Sequence, residues 1–172
     1  MKKKFFAVAV VVFLIFLSLT ALLMFSKKSE TISSDQQHVI DLMGYPKQFV
    51  ITYVESGSDN NPQLTRNEIW IYPEDGLKVT FLGGNLVYSD EYKKSADIIA
   101  TKFKPEDFEF DQTYSQIANI IGKDSLYEVE DLPGITDKEI KVYTNGEVMF
   151  LMENGYLTYL QTFSYAAEEN EK

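Results

Sequence analysis

Glu68-Ile69-Trp70-Ile71-Tyr72, Pro73-Glu74-Asp75-Gly76, Leu77-Lys78-Val79-Thr80-Phe81-Leu82, Gly83-Gly84 and Asn85-Leu86-Val87-Tyr88 run consecutively, and the fold turns on this stretch. Three runs rich in β-branched and aromatic residues are separated by Asp-Gly and Gly-Gly, pairs that accept positive φ and so close hairpins. Working outward, residues 49–55 form another apolar run, which makes four strands at 49–55, 68–72, 77–82 and 85–88. Before them a short helix is expected. Ser34 or Asp35 caps it, Gln37 completes a capping box, and Val39, Ile40, Leu42 and Met43 make its apolar stripe before Gly44 and Pro46 stop it.

The same order recurs downstream. Thr113 and Gln116 form a capping box, Ile117, Ala118, Ile120 and Ile121 the stripe, and Gly122 the stop. Strands are expected at 126–130, 139–144, 147–152 and 156–163, with Asn145-Gly146 and Asn154-Gly155 as turns. Ile69, Tyr72, Val79, Phe81, Leu86 and Tyr88 align with Ile140, Tyr143, Phe150, Met152, Leu157 and Tyr159. The expected architecture is therefore α+β, a duplicated helix-plus-antiparallel-sheet domain over 34–165, with repeat one at 34–89 and repeat two at 111–163. Tyr92, Ala96, Ile99 and Phe103 fall on one stripe, so a bridging helix is expected over 90–103, ended by Pro105.

Residues 5–25 carry no charge, long enough as a helix for a bilayer's hydrocarbon core of about 30 Å. The competing reading is a cleavable signal peptide, but the run is long and ends in Leu, Met and Phe rather than small residues. Lys2, Lys3 and Lys4 precede it, so the positive-inside rule gives a single-pass cell-membrane protein. The expected layout is a cytoplasmic tail at 1–4, an anchor at 5–25, a linker at 26–33, an extracytoplasmic domain and a flexible tail at 166–172. The chain holds 16 Lys+Arg and 26 Asp+Glu, a net of −10, and residues 27–172 carry 13 basic against 26 acidic side chains. So acidic a domain repels phosphate backbones, which argues against nucleic-acid binding. The chain has no cysteine, which excludes disulfides, thiol catalysis, Cys-ligated metals and a lipid-bearing Cys.

The helix ending Leu42-Met43-Gly44-Tyr45-Pro46, then Trp70-Ile71-Tyr72, Leu77-Lys78-Val79-Thr80-Phe81 and Asn85-Leu86-Val87-Tyr88 together resemble the SmpA/OmlA (BamE-like) small-lipoprotein family. They also resemble the wider fold shared with the β-lactamase inhibitor protein. The resemblance covers residues 35–89 well and 111–163 loosely, where the proline is gone and Lys141 stands in place of the tryptophan. It implies helices packed on an antiparallel sheet and a role in protein–protein contact, without the lipoprotein cysteine.

Catalytic patterns are scarce, and no enzyme activity, cofactor, metal or small-molecule substrate is expected. His38 is the single histidine and has no spaced partner, so it reads as a half-exposed helix residue. Residues 55–62 are oxygen-rich but miss the calcium-loop order, and read as a surface hairpin tip. Glu106, Asp107, Glu109 and Asp111 alternate with Phe108 and Phe110, as in an edge strand with one wet face. In the strand around Lys141, Ile140 and Val142 are apolar, which puts Lys141 and Tyr143 on the wet side; by the repeat alignment Trp70 and Tyr72 share it. Partner-binding residues are therefore expected at Trp70, Tyr72, Tyr143, Met149, Leu151 and Tyr156, with Leu160 beside them, unless a helix or a second copy covers that face. The expected function is a membrane-anchored protein-binding or scaffold module of a bacterial envelope, with a protein or peptide partner. An immunity or inhibitor protein that sequesters a cationic toxin or enzyme is the alternative, and an envelope hydrolase is a third class.

Overall fold

Eight antiparallel strands form a single sheet in the order β4-β3-β2-β1-β8-β7-β6-β5. The computed structural model describes residues 32–58, 61–95, 98–129 and 140–163. In chain order these hold α1 (Ser34–Met43), β1 (Gln48–Ser58), β2 (Asn61–Tyr72), β3 (Leu77–Leu82) and β4 (Asn85–Glu91). After a 3-10 turn at Pro105–Asp107 come α2 (Tyr114–Ile121), β5 (Tyr127–Glu128), β6 (Ile140–Thr144), β7 (Val148–Glu153) and β8 (Tyr156–Thr162).

The turn chemistry accounts for the meander. Gly83 and Gly84 both take positive φ between β3 and β4, which a two-residue hairpin needs to match strand twist. Gly84 is held for a second reason: a Cβ there would meet the Ser33 Cβ at 2.9 Å. Ser33 caps α1 and donates its hydroxyl to the Gly84 carbonyl, which ties the helix start to the hairpin. Ser33 and Gln36 form the capping box, one residue earlier than Ser34 and Gln37. Thr113 and Gln116 form the second.

Both helices and the segment 103–110 pack on one face. Directly opposed residues of an antiparallel ladder share a face, so the register sorts the side chains. Phe81, Glu68, Ile51, Leu160, Phe150 and Tyr143 make one line of the covered face, and Val79, Trp70 and Phe49 another. Val39, Phe103, Phe108, Ile117 and Ile121 close over them. The seam between the chain's halves is short: β1 meets β8 through Val50↔Gln161, Ile51↔Leu160 and Thr52↔Tyr159. The Thr162 hydroxyl extends it by accepting from the Phe49 N–H at 2.8 Å.

Several expectations are corrected. Among the described residues the fold is one sheet with two short helices, not a duplicated helix-plus-sheet domain with a membrane helix. Strands matched between the halves sit in unlike places: β4 is a free edge with every residue exposed, whereas β8 is central with Leu157 and Leu160 fully buried. An edge strand and a central strand are under different packing demands, so the halves are not copies of one unit. The bridging helix over 90–103 is absent from the described part of that segment, because β4 runs on to Glu91 and Tyr92–Ser95 is irregular. Residues 106–111 form no strand; the 3-10 turn at Pro105–Asp107 points Phe108 into the core.

The single-pass membrane topology, and the cell-membrane localisation built on it, are corrected as well. Among the described residues no helix is long and apolar enough to cross a membrane. The helices have ten and eight residues, against the roughly 20 that a hydrocarbon core requires. The run at 5–25, the tails at 1–4 and 166–172 and the linker up to residue 31 lie outside the described residues.

Because Phe49 and Ile51 of the first half are buried by Phe108, Leu160 and Thr162 of the second, neither half closes a core alone. A fragment of residues 32–103 is expected to show no cooperative transition on thermal denaturation, while the full chain shows one; a sharp transition in the fragment would contradict the shared core.

Candidate functional site

The covered face holds a buried polar cluster. Glu68 and Arg66 stand two apart on β2 and point the same way, at 3% and 9% exposure. Arg66 Nε donates to Glu68 Oε1 at 2.8 Å. The same oxygen accepts from Gln36 Nε2 of α1 at 2.6 Å, and Glu68 Oε2 accepts from the Trp70 indole N–H at 2.9 Å. The Arg66 guanidinium also donates to the Pro105 carbonyl at 2.6 Å, to the Phe108 carbonyl, and to the Tyr53 hydroxyl at 3.2 Å. Each partner is protein, so the cluster ties β2 to α1 and to the 105–108 turn and presents no group to a ligand.

Trp70 is thus 1% exposed and Tyr72 2% exposed, both in the core. Tyr72 donates its hydroxyl to the Gly44 carbonyl at the end of α1. The expected exposed aromatic face around Trp70 and Tyr72 is therefore corrected. It was inferred from Lys141, whose neighbours on β6 suggested a wet side. Lys141 does lie opposite Met152, on the helix-covered side, but on its outer side β6 is flanked by the two-residue β5. Near that margin its ammonium reaches solvent and pairs with Glu128 at 3.3 Å, so the lysine marks the edge of the sheet and not a wet face.

The remaining expected residues are divided. Tyr143 lies on the covered face, half-buried, its ring 4.5 Å from Tyr114 and 5.2 Å from Phe150. Leu160 is buried. Tyr156 is exposed and stacks on Phe110 at 5.0 Å. Met149 and Leu151 lie on the opposite face, half-exposed. His38 is an exposed residue of α1. The polar tip at 55–62 lies at the β1–β2 turn, where residues 59 and 60 are outside the described set. Among the described residues no group of three His, Cys, Asp or Glu side chains could hold a metal ion.

The face away from the helices carries the feature that sequence reasoning missed. One register line crosses all eight strands: Tyr88, Thr80, Ile69, Val50, Gln161, Met149, Thr144 and Tyr127. The next crosses seven: Asn85, Leu82, Asn67, Thr52, Tyr159, Leu151 and Val142. Neither line contains a charged residue. The charges on this side near the lines are Lys78 and Asp90, one row away at the β4 edge, where they pair with each other at 3.5 Å, and Glu153, exposed one row beyond Leu151 at the end of β7. The solvated face of an antiparallel sheet ordinarily alternates with charged and polar residues, and 24% of this chain is charged. Fifteen uncharged positions in two adjacent lines, all but the buried Thr80 and Val142 reaching solvent, therefore set this face apart. Each strand supplies only one or two of them, so no local window shows the pattern.

Tyrosine environments differ accordingly. Burial pushes the Tyr72 hydroxyl upward, and the Asp75 charge adds to it. Burial also raises Tyr143, helped by Glu128, and raises Tyr159 on the open face. Tyr45 is pushed up to about 12 from 10.0, first because it donates a hydrogen bond to Glu106 at 2.6 Å and then by burial.

No family model matches the chain, and no curated protein and no solved structure matches it. None of these comparisons identifies the SmpA/OmlA-like or inhibitor-protein fold that the residues resemble.

Two outcomes test the cluster and the tyrosines. Arg66→Met leaves the buried Glu68 carboxylate without its counter-charge, at an expected cost of about 3 kcal/mol in chemical denaturation, whereas Trp70→Phe removes one hydrogen bond and some ring area and costs about 1–2 kcal/mol. A raised tyrosine favours the protonated form in the folded state, so its contribution is complete below pH 10 and is lost as pH rises through about 12 for Tyr45. Absorbance titration of Tyr45→Phe is expected to lack a late-ionising phenol that the parent protein shows.

Proposed function

We propose that this protein is a protein-binding module that presents the helix-free face of its sheet to another polypeptide. The observation that carries this reading is the pair of charge-free lines across the sheet, of apolar, hydroxyl and amide side chains, on an otherwise strongly acidic chain. Depletion of charge with retained aromatic and Met side chains is the compositional mark of an interface centre. Tyr159, Met149 and Leu151 supply the aromatic and flexible apolar contacts such centres use. The resemblance of residues 35–89 to a fold of scaffolds and inhibitors points the same way.

The alternative, sequestration of a cationic toxin or enzyme, draws on the net charge of −10. A receptor for a cationic partner would set carboxylates in its contact surface, and these two lines contain none. The face therefore favours a scaffold-type contact.

A photo-crosslinking residue placed at Met149 is expected to give a covalent protein adduct in cells, and one placed at Asp41, exposed on α1, is expected to give none. Adding Ile69→Lys should abolish the Met149 adduct while the melting temperature stays within a few degrees of the parent, since Ile69 is only half-buried. Equal adducts from both positions, or an adduct indifferent to Ile69→Lys, would remove the face from consideration.

A further inference from the structure

We infer that the occupant of the helix-free face is a second copy of this chain, packed sheet on sheet about a two-fold axis. This rests on the face being a protein contact and names the partner. Three observations carry it.

The first is the chemistry of the polar groups. Whereas Thr80 is buried and the Thr144 hydroxyl is bonded to Val148 and Gly146, Thr52, Asn67, Gln161 and Tyr159 bear hydroxyl or amide groups, each both a donor and an acceptor. Such groups can pair with their own kind. Ammonium and carboxylate groups cannot, and in a contact between identical surfaces a charge near the axis faces its own copy. Two lines free of charge, with these polar positions self-complementary, suit an identical partner. A different partner places no such restriction, because it can answer a carboxylate with a lysine.

The second is geometry. The seam of β1 and β8 lies in the middle of the strand order, with four strands to either side. An axis through this seam brings the whole face onto its copy, and Val50, Thr52, Tyr159 and Gln161 near their own counterparts. The Tyr159 hydroxyl donates to Gln161 Oε1 within the chain, so this central pair is held in place before contact. The eight strands at about 4.8 Å spacing span about 34 Å, and stacked sheets interdigitate at about 10 Å separation. The exposed Val54 adds apolar area at the margin of the face.

The third is the whole-molecule charge. Two copies at −10 each repel, so the surface where they meet must not add to that repulsion. An uncharged contact does not. Association should accordingly strengthen as salt screens the net charge. Binding of a basic partner would weaken with salt.

Sedimentation of the full chain over rising concentration, in low and high salt, tests this. A reversible dimer that tightens with salt is expected. Thr52→Glu and Thr52→Lys, at a half-exposed position, should each weaken it on the order of 100-fold by setting like charges together, and mixing the two variants should restore it. The Met149 adduct should map to β7, β8 or β1 of another copy. A monomer at all concentrations, or association that ignores both Thr52 variants, overturns the inference. An adduct to a different protein overturns it too but leaves the face a protein contact, whereas no adduct at all removes both.

Discussion

Glu68 is the group on which the rest of the arrangement depends. A carboxylate at 3% exposure is tolerable only when its charge is answered, and here Arg66, Gln36 and Trp70 answer it together. Each donor also fixes something else. Gln36 belongs to the capping box of α1, so the helix is set in rotation over β2. Arg66 also donates to the Pro105 and Phe108 carbonyls, which seats the turn that drives Phe108 against Phe49 and Phe103. Trp70 is oriented with its ring 4.6 Å from Phe81. The covered face is thereby closed on itself, with its polar groups bonded to protein.

Closing one face leaves the other as the place for contact. The β1–β8 seam joins the chain's halves through three residue pairs and the Thr162 hydroxyl, and it makes the register lines continuous from β4 to β5. Without that seam the uncharged positions would be two separate patches on two small sheets. With it they form an unbroken strip, which is the property both functional proposals use. The free edges are treated differently. The β4 edge is blunted by Asp35 of α1 accepting from the Leu86 N–H at 2.9 Å and by the Lys78–Asp90 pair, devices that discourage strand addition.

The strand positions were legible because turn chemistry is local: Gly83-Gly84 and Asn154-Gly155 require backbone conformations that few residues adopt, and the hairpins form there. The two capping boxes were legible for the same reason, though the cap is Ser33, which also donates to the Gly84 carbonyl, in place of Ser34. The direction of the faces was not. Ile69-Trp70-Ile71-Tyr72 is apolar at every position, so period-two alternation cannot say which side is covered. Lys141 gave a false answer because a long side chain at a sheet margin escapes to water from the covered side as readily as from the open one.

The sequence by itself determined where the chain turns, where the two helices end and, within a residue, where they begin, the absence of thiol chemistry and the strong acidity, since each depends on residue identity or on neighbours within a few positions. Tertiary structure alone decided that the halves share one sheet, that Glu68 and Arg66 become buried partners, and that uncharged residues from eight strands fall into line. Those outcomes follow from register between segments up to about a hundred residues apart, such as Val50 with Gln161. A shift of one residue in any ladder would send each side chain to the opposite face, and no local pattern in the chain carries that information.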